Sequence, residues 1–175
     1  MGLPRKAVVI LPYKNNKILM QLRDEKPMIA YPGNWGFFGG SIEPGEKPIQ
    51  SARRELYEEI KYETEEMFLL SIDRYIFDPD IILLYSFYCP LNIEVEEINL
   101  YEGFDFGLFT LEEICSKQIF STKVQKSYPV VDHPYVENMV RKLLQKIERT
   151  KASQGKPLMN NDKCRKNQRR KHYDG

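Results

Sequence analysis

The chain has 175 residues, of which 42% are hydrophobic and 12% aromatic, so it has enough core material for a folded domain and is not fully disordered. Its longest apolar run begins at Ile81 and is far shorter than the roughly 20 residues of a spanning helix, so we expect no membrane span, and no secretory signal is visible. Residues 1–150 carry a net charge of −5 and residues 151–175 one of +6. We therefore expect one domain over 1–150 and a basic, disordered tail over 151–175.

The first elements are predicted to be a hairpin and an aromatic strand. Short apolar runs at 7–11 and 18–22 flank a polar turn at 14–17, which is the pattern of a β-hairpin. A loop rich in proline, glycine and charge follows at 24–36, and it leads into a short aromatic strand at 35–40 that ends in two glycines.

A helix is predicted over 48–60, because apolar residues recur there at steps of three and four: Ile49, Ala52, Leu56 and Ile60. Glu55 and Glu59 lie one turn apart and Glu58 lies about 60° from Glu55, so the helix would present three carboxylates along one edge. Carboxylate clusters with few other ligands suit Mg²⁺ or Mn²⁺ rather than zinc. The alternative is a solvated, glutamate-rich helix face.

The second half of the chain predicts further strands and two more helices. Strands are expected at 67–71, 74–77, 81–89 and 94–100, with a turn at 78–80, and a short apolar run lies at 106–109. Thr110 begins a capping box that opens a short helix. Asp132 is expected to cap a final helix that has Pro134 just inside it, and the apolar stripe of that helix ends near Thr150. Hairpin strands mixed with three helices indicate an α/β or α+β sandwich with a mixed sheet.

Arg54 is a cation within the carboxylate-bearing helix. It lies about 100° from Glu55 around the helix, so it is better suited to pairing with Glu46 in the preceding loop than to joining the ligand side. Glycines at 39, 40 and 45 permit tight turns in that loop, so a bare backbone carbonyl could complete a metal shell.

The spacing of seven residues here is similar to that of the Nudix box: Gly40, Glu46, Arg54, Glu55, Leu56, Glu58 and Glu59. The chain is therefore identified as a member of the Nudix hydrolase superfamily, with a MutT-like resemblance that extends over roughly residues 5–148. The resemblance implies an α/β/α sandwich with a mixed, largely hairpin-built sheet. It also implies an enzyme that hydrolyses the pyrophosphate bond of a nucleoside diphosphate linked to a further group.

The resemblance assigns roles residue by residue. Glu55, Glu58 and Glu59, with the carbonyl of Gly39, would bind Mg²⁺ or Mn²⁺, and Gly40 and Glu46 would shape the loop. Either Glu55 or Glu102 would activate the attacking water, with Arg54 among the catalytic residues; the alternative for Glu102 is an exposed turn. Arg23 matches a phosphate-contacting arginine or is a surface charge. Trp35 and Phe37 are candidates for stacking on a base, the alternative being a place in the core.

Two positions depart from the box. Lys61 stands where the pattern has glycine, and Tyr62 stands where it has an aliphatic residue. Lys61 either adopts the left-handed conformation or lets the helix continue. The departure concerns the end of the helix and leaves the carboxylates in register.

The residues after the box do not match the markers of the ADP-ribose, diadenosine-polyphosphate, NADH and coenzyme A subfamilies. The resemblance therefore implies a nucleoside triphosphate, its deoxy form or a nucleotide sugar as substrate. One alternative is an RNA 5′-end pyrophosphohydrolase whose basic tail contacts RNA, and a second is a non-catalytic nucleotide sensor. Three cysteines without a Cys-x-x-Cys pair disfavour disulfides and predict a reducing, cytoplasmic setting. A homodimer is left open.

Overall fold

A computed structural model describes residues 4–77 and 80–154, except for the side chains of residues 77, 80 and 154. Residues 78–79 of the predicted turn and the basic tail from 155 onward lie outside the described residues. The elements in chain order are β1 (Arg5–Lys14), β2 (Lys17–Leu22), β3 (Trp35–Gly36), α1 (Pro48–Ile60), β4 (Phe68–Phe77), β5 (Asp80–Pro90), a 3₁₀ turn (Val95–Glu97), β6 (Asp105–Phe109), α2 (Leu111–Cys115), β7 (Gln118–Ser121), β8 (Lys126–Pro129) and α3 (Pro134–Gln154).

The main sheet has six strands and mixed directions. Its order is β3-β2-β1-β5-β4, with β6 paired to β2, while β7 and β8 form a separate hairpin. β1 pairs antiparallel with β2, and β4 pairs antiparallel with β5, as two hairpins. β1 and β5 run parallel, with Val8 opposite Tyr85 and Ile10 opposite Phe87. The predicted mixed, largely hairpin-built sheet is confirmed.

Two apolar clusters cover the faces of this sheet. Val8 and Ile10 of β1 belong to the cluster that contains Leu56 and Ile60 of α1. The other cluster is formed against α3 by alternate strand residues and by helix residues: Leu11, Met20, Leu84, Val136, Met139 and Leu143. The period-two alternation of the strands therefore buries both faces, which is the α/β/α sandwich predicted above. No helix in the described part of the chain is long and apolar enough to span a membrane.

The region between β5 and α3 differs from the sequence prediction. The strand predicted at 94–100 is wrong, because Val95–Glu97 forms a 3₁₀ turn that the side chain of Glu97 closes by accepting the N–H of Glu94 at 2.7 Å. The hairpin of β7 and β8 is not predicted. Its strands have four residues each, and Ser121 is one of the two buried positions of β7, so apolar alternation is missing there.

The strands and helix ends near β4 and α3 also differ in detail. The runs predicted at 67–71 and 74–77 form one strand, β4, with a bulge between Leu69 and Ser71. α3 begins directly after His133, so the predicted cap at Asp132 is wrong; the His133 ring nitrogen accepts a backbone N–H at 3.2 Å. α3 continues to Gln154, past the end of its apolar stripe, because lysine and alanine favour helix without burial.

Candidate active site

The glycine pair before α1 is held against β1 by backbone pairing. Ile10 donates its N–H to the carbonyl of Phe38, and Val8 donates to the carbonyl of Gly40, both at 2.9 Å. Gly39 lies between these two bonds with φ of 136°, and a Cβ there would collide with the carbonyl oxygen of Val8. Only glycine can therefore bring its backbone this close to β1.

Glu59 is buried beneath the segment that contains Gly39 rather than exposed along the helix edge. Its side chain is 4% exposed, and its two oxygens accept hydrogen bonds from Nε2 of Gln21 at 2.5 Å and from the N–H of Gly39 at 2.9 Å. Burial raises the pKa of Glu59 to about 8, although both hydrogen bonds lower it. Of the three carboxylates predicted along one helix edge, Glu59 is thus a buried one, and its partner Gln21 is not indicated by any sequence pattern.

Arg54 is the centre of an ion-pair network. Its guanidinium contacts both oxygens of Glu46, from Nε at 3.0 Å and from Nη2 at 3.1 Å. Its Nη1 also contacts Glu55 at 2.9 Å and Glu58 at 3.1 Å. The pairing with Glu46 expected from the sequence is present, and the same guanidinium bridges two of the predicted metal ligands.

The charges around Arg54 do not balance. The hydrogen bonds of Arg54 lower the pKa of Glu46. Burial raises the pKa of Glu55, and the charges of Glu58 and Glu102 add to this effect, while Arg54 opposes it. One guanidinium thus faces several carboxylates, and an added cation would relieve the remaining repulsion.

The donor chemistry of this cluster fits a hard divalent cation. Carboxylate oxygens and a backbone carbonyl are the ligands that Mg²⁺ and Mn²⁺ prefer. Among residues 4–77 and 80–154, however, no three Asp, Glu, His or Cys side chains converge as a metal shell. Arg54 engages Glu55 and Glu58, and Glu59 is bound to Gln21 and Gly39.

Glu102 lies beside the end of α1. The N–H of Tyr101 donates to the carbonyl of Glu59 at 2.8 Å, and the N–H of Phe104 donates to the carbonyl of Leu22 at the same distance. These bonds attach the segment between them to α1 and β2, and the charge of Glu102 acts on Glu55. The backbone of this segment is thus attached next to Glu59, and Glu102 lies within electrostatic range of Glu55.

Lys61 ends α1 in the left-handed conformation, which is the first of the two alternatives stated above. Its φ is 54° and its ψ 26°, and its N–H donates to the carbonyl of Tyr57 at 2.9 Å. Tyr62, the second departure, is buried, and its hydroxyl donates to the carbonyl of Pro90 at 2.9 Å. Both departures from the box are therefore accommodated at the end of α1, without a change in the position of the carboxylates along the helix.

Trp35 and Phe37 lie in the core. Trp35 is 1% exposed; its indole N–H donates to the carbonyl of Ile119 at 3.1 Å, and its ring meets Phe109 edge-on at 4.9 Å. Phe37 is 4% exposed and packs in the same cluster as Trp35. Neither ring offers a free face, so the stacking role is corrected to the core role.

Arg23, the predicted phosphate contact, is bound to the loop after β2. Its Nε donates to the carbonyl of Ala30 at 2.9 Å, which fixes the guanidinium over the loop after β2. Its charge lowers the pKa of Glu59, so the two groups lie within electrostatic range of each other. This location is compatible with a contact to an anionic substrate.

Gly40 provides a test of how closely Glu55 must be held. A Cβ at Gly40 would meet the Glu55 carboxylate, with its Cδ at 2.6 Å, while Gly40 itself has no left-handed φ. Gly40→Ala should therefore displace the carboxylate without straining the backbone, and it should lower kcat by about tenfold. Steady-state kinetics check this, and in a Glu55→Gln background the same change should add little. An equal loss of kcat in the wild-type and Glu55→Gln backgrounds would mean that Gly40→Ala does not act by displacing Glu55.

Comparisons with known proteins come from sequence and from structure. The family model for the NUDIX domain matches residues 3–131. The nucleoside triphosphatase NudI of Escherichia coli O1:K1 / APEC is 31% identical over 80 residues, which are 44% of this chain and 53% of that protein. The chain thus spans about half the length of the curated relatives it matches.

Two solved structures share the fold at low identity. The MutT NUDIX hydrolase from Burkholderia pseudomallei aligns with a TM-score of 0.61 and 17% identity, over 81% of this chain and 99% of that one. The MutT protein from Methanosarcina mazei Go1 aligns with a TM-score of 0.63 and 15% identity, over 85% and 99%. At these identities the likeness establishes the architecture alone.

Proposed function

This chain belongs to the NUDIX-domain family, and we propose that it hydrolyses a pyrophosphate bond in a nucleoside diphosphate-linked compound, with a nucleoside triphosphate or its deoxy form as substrate. The observation that carries the proposal is the Arg54 network, where Glu46, Glu55 and Glu58 share one guanidinium. The similarity to a nucleoside triphosphatase supports the triphosphate class. A nucleotide sugar is the second substrate class.

The cation of this reaction would be Mg²⁺ or Mn²⁺. Glu55, Glu58 and Glu59, with the carbonyl of Gly39, would hold it, since they offer only oxygen ligands. When bound, such an ion neutralises charge on the pyrophosphate oxygens and favours attack at phosphorus. Arg54 keeps Glu55 and Glu58 in place before the substrate arrives.

Glu55 and Glu102 are the two carboxylates suited to accept a proton from the attacking water. In the metal-free protein burial raises the pKa of the Glu55 carboxyl, and Arg54 beside it opposes this effect. Glu102 is exposed and lies within electrostatic range of Glu55. Glu55→Gln and Glu102→Gln are compared through the pH dependence of kcat/KM, and the base is the residue whose loss removes the acidic limb of that profile.

The experiment is a substrate panel with Mg²⁺. Nucleoside triphosphates, deoxynucleoside triphosphates, nucleotide sugars and 5′-triphosphate RNA are incubated with the full chain, and products are resolved by mass. Glu58→Gln should lower turnover by at least about tenfold, because Glu58 contacts Arg54. Glu63→Gln, an exposed carboxylate beyond α1, is the matched control and should match the wild type.

The panel also separates the alternatives. Cleavage of RNA alone would favour the 5′-end reaction, and binding of nucleotides without cleavage would favour a sensor. Equal turnover in Glu58→Gln and Glu63→Gln would contradict the assignment of the network as the active site.

A further inference from the structure

The side chain of Lys61 lies between two tyrosine rings. Its Nζ is 4.6 Å from the ring centroid of Tyr57 and 4.8 Å from that of Tyr101. Both distances are within the roughly 6 Å range of a cation–π contact. Tyr57 belongs to α1, whereas Tyr101 directly precedes Glu102, so the three residues, here called the Lys61 clasp, connect the helix to the segment that carries Glu102.

The conformation of Lys61 is unusual for a residue with a side chain. Its φ of 54° is one that glycine adopts readily and that a Cβ disfavours. The Nudix box has glycine at this position, whereas lysine adopts this φ only at a cost in conformational energy. The lysine side chain makes the two cation–π contacts of the clasp, which a glycine could not make.

The segment that carries Glu102 lies between Leu100, which packs against the α1 cluster, and Asp105, which begins β6. The N–H of Tyr101 donates to Glu59 and that of Phe104 donates to Leu22, each at 2.8 Å. The Tyr101 side chain is 61% exposed, so packing against the core contributes little to its position. The clasp therefore adds a side-chain attachment between α1 and the residue directly before Glu102.

We propose that Lys61 is a positioning residue, whose clasp with Tyr57 and Tyr101 keeps Glu102 beside the Arg54 network. The clasp acts through the segment that Tyr101 begins. The catalytic part of this inference rests on the proposed hydrolysis and on Glu102 taking part in it, whereas the structural part does not.

Restoring the glycine tests the proposal. Lys61→Gly should lower kcat by about five- to tenfold and change KM by less than about twofold, because Glu102 is displaced while the rest of the site is intact. Its thermal midpoint should not fall, since glycine favours this φ. Lys61→Arg keeps the cation over both rings and should retain wild-type kcat.

Lys117→Gly is the matched control. Lys117 also has a left-handed conformation, with φ of 63°, and it follows α2, remote in sequence from Glu102. The same substitution there should leave kcat unchanged. In a Glu102→Gln background, Lys61→Gly should have little further effect on kcat. A full additional loss of kcat would mean that Lys61 does not act through Glu102.

Hydrogen exchange tests the clasp without any activity. The amide of Tyr101 should exchange severalfold faster in Lys61→Gly and in Tyr101→Leu, and at the wild-type rate in Lys61→Arg, Tyr101→Phe and Lys117→Gly. If the wild type cleaves nothing in the panel, the proposed function fails. The hydrogen exchange rate of the Tyr101 amide still tests whether the clasp holds this segment. Unchanged exchange in Lys61→Gly overturns the inference whatever the activity.

Discussion

Replacing Glu59 with glutamine is expected to lower hydrolysis by about a thousandfold and to make the metal-free protein more stable at neutral pH. The loss of activity follows from the proposal that Glu59 is a charged ligand of the divalent cation. The gain in stability follows from burial, because a carboxylate that is 4% exposed is costly to ionise in the folded chain. Glutamine keeps an oxygen for the N–H of Gly39, and the amide of Gln21 can turn to match it.

The stability of the wild type should depend on pH in the direction set by Glu59. Its pKa is about 8 in the folded chain, whereas an unfolded glutamate titrates near about 4.3. Between these values the folded state holds a proton that the unfolded state has released. The free energy of unfolding of the metal-free protein therefore falls as pH rises from about 4.5 to 8, and Glu59→Gln should remove this part of the dependence.

Thermal unfolding with a chelator present measures the effect. At pH 8 the midpoint of Glu59→Gln should exceed that of the wild type by roughly 2–8 °C, which corresponds to about 1–2 kcal/mol for a domain of this size. At pH 5 the difference should shrink. The exposed Glu63→Gln is the control and should follow the wild type at both pH values. A lower midpoint for Glu59→Gln at pH 8 would mean that the charged form is the stable one.

The contrast between Glu59 and Arg54 illustrates what sequence periodicity can predict. The spacing of the box places Glu55, Glu58 and Glu59 on one helix, and the pairing of Arg54 with Glu46 follows from helix and loop positions close in sequence. The burial of Glu59 depends on Gln21, which is 38 residues away on β2. A sequence pattern within one helix or loop cannot indicate a contact between residues so far apart in the chain.

The core placement of Trp35 is another long-range result. Its indole N–H is satisfied by Ile119, 84 residues later, in a hairpin whose short strands lack apolar alternation. An aromatic residue beside the box can therefore be assigned to core or to substrate only when that distant hairpin is known. Lys61 differs, because a side chain at a glycine position already marks the helix end as unusual.

Replacing Arg54 with glutamine should affect both stability and activity. The change removes charge-assisted hydrogen bonds to Glu46, Glu55 and Glu58, and it leaves three carboxylates without their shared cation. We expect a loss of about 2 kcal/mol in the free energy of unfolding, since the guanidinium is only a quarter exposed. We expect kcat to fall about a hundredfold, because the carboxylates lose their common anchor.

Arg53 supplies the matched control for this experiment, since it is the preceding residue of the same helix. Its guanidinium pairs with Glu65 at 3.3 Å, outside the network, where screening by water leaves about 0.5 kcal/mol or less. Arg53→Gln should therefore keep wild-type turnover, and Arg54→Lys should recover only part of it, because an ammonium cannot bind both oxygens of Glu46 in a planar fork. Equal effects of the two glutamine variants, by chemical denaturation and kinetics, would mean that Arg54 contributes only helix charge.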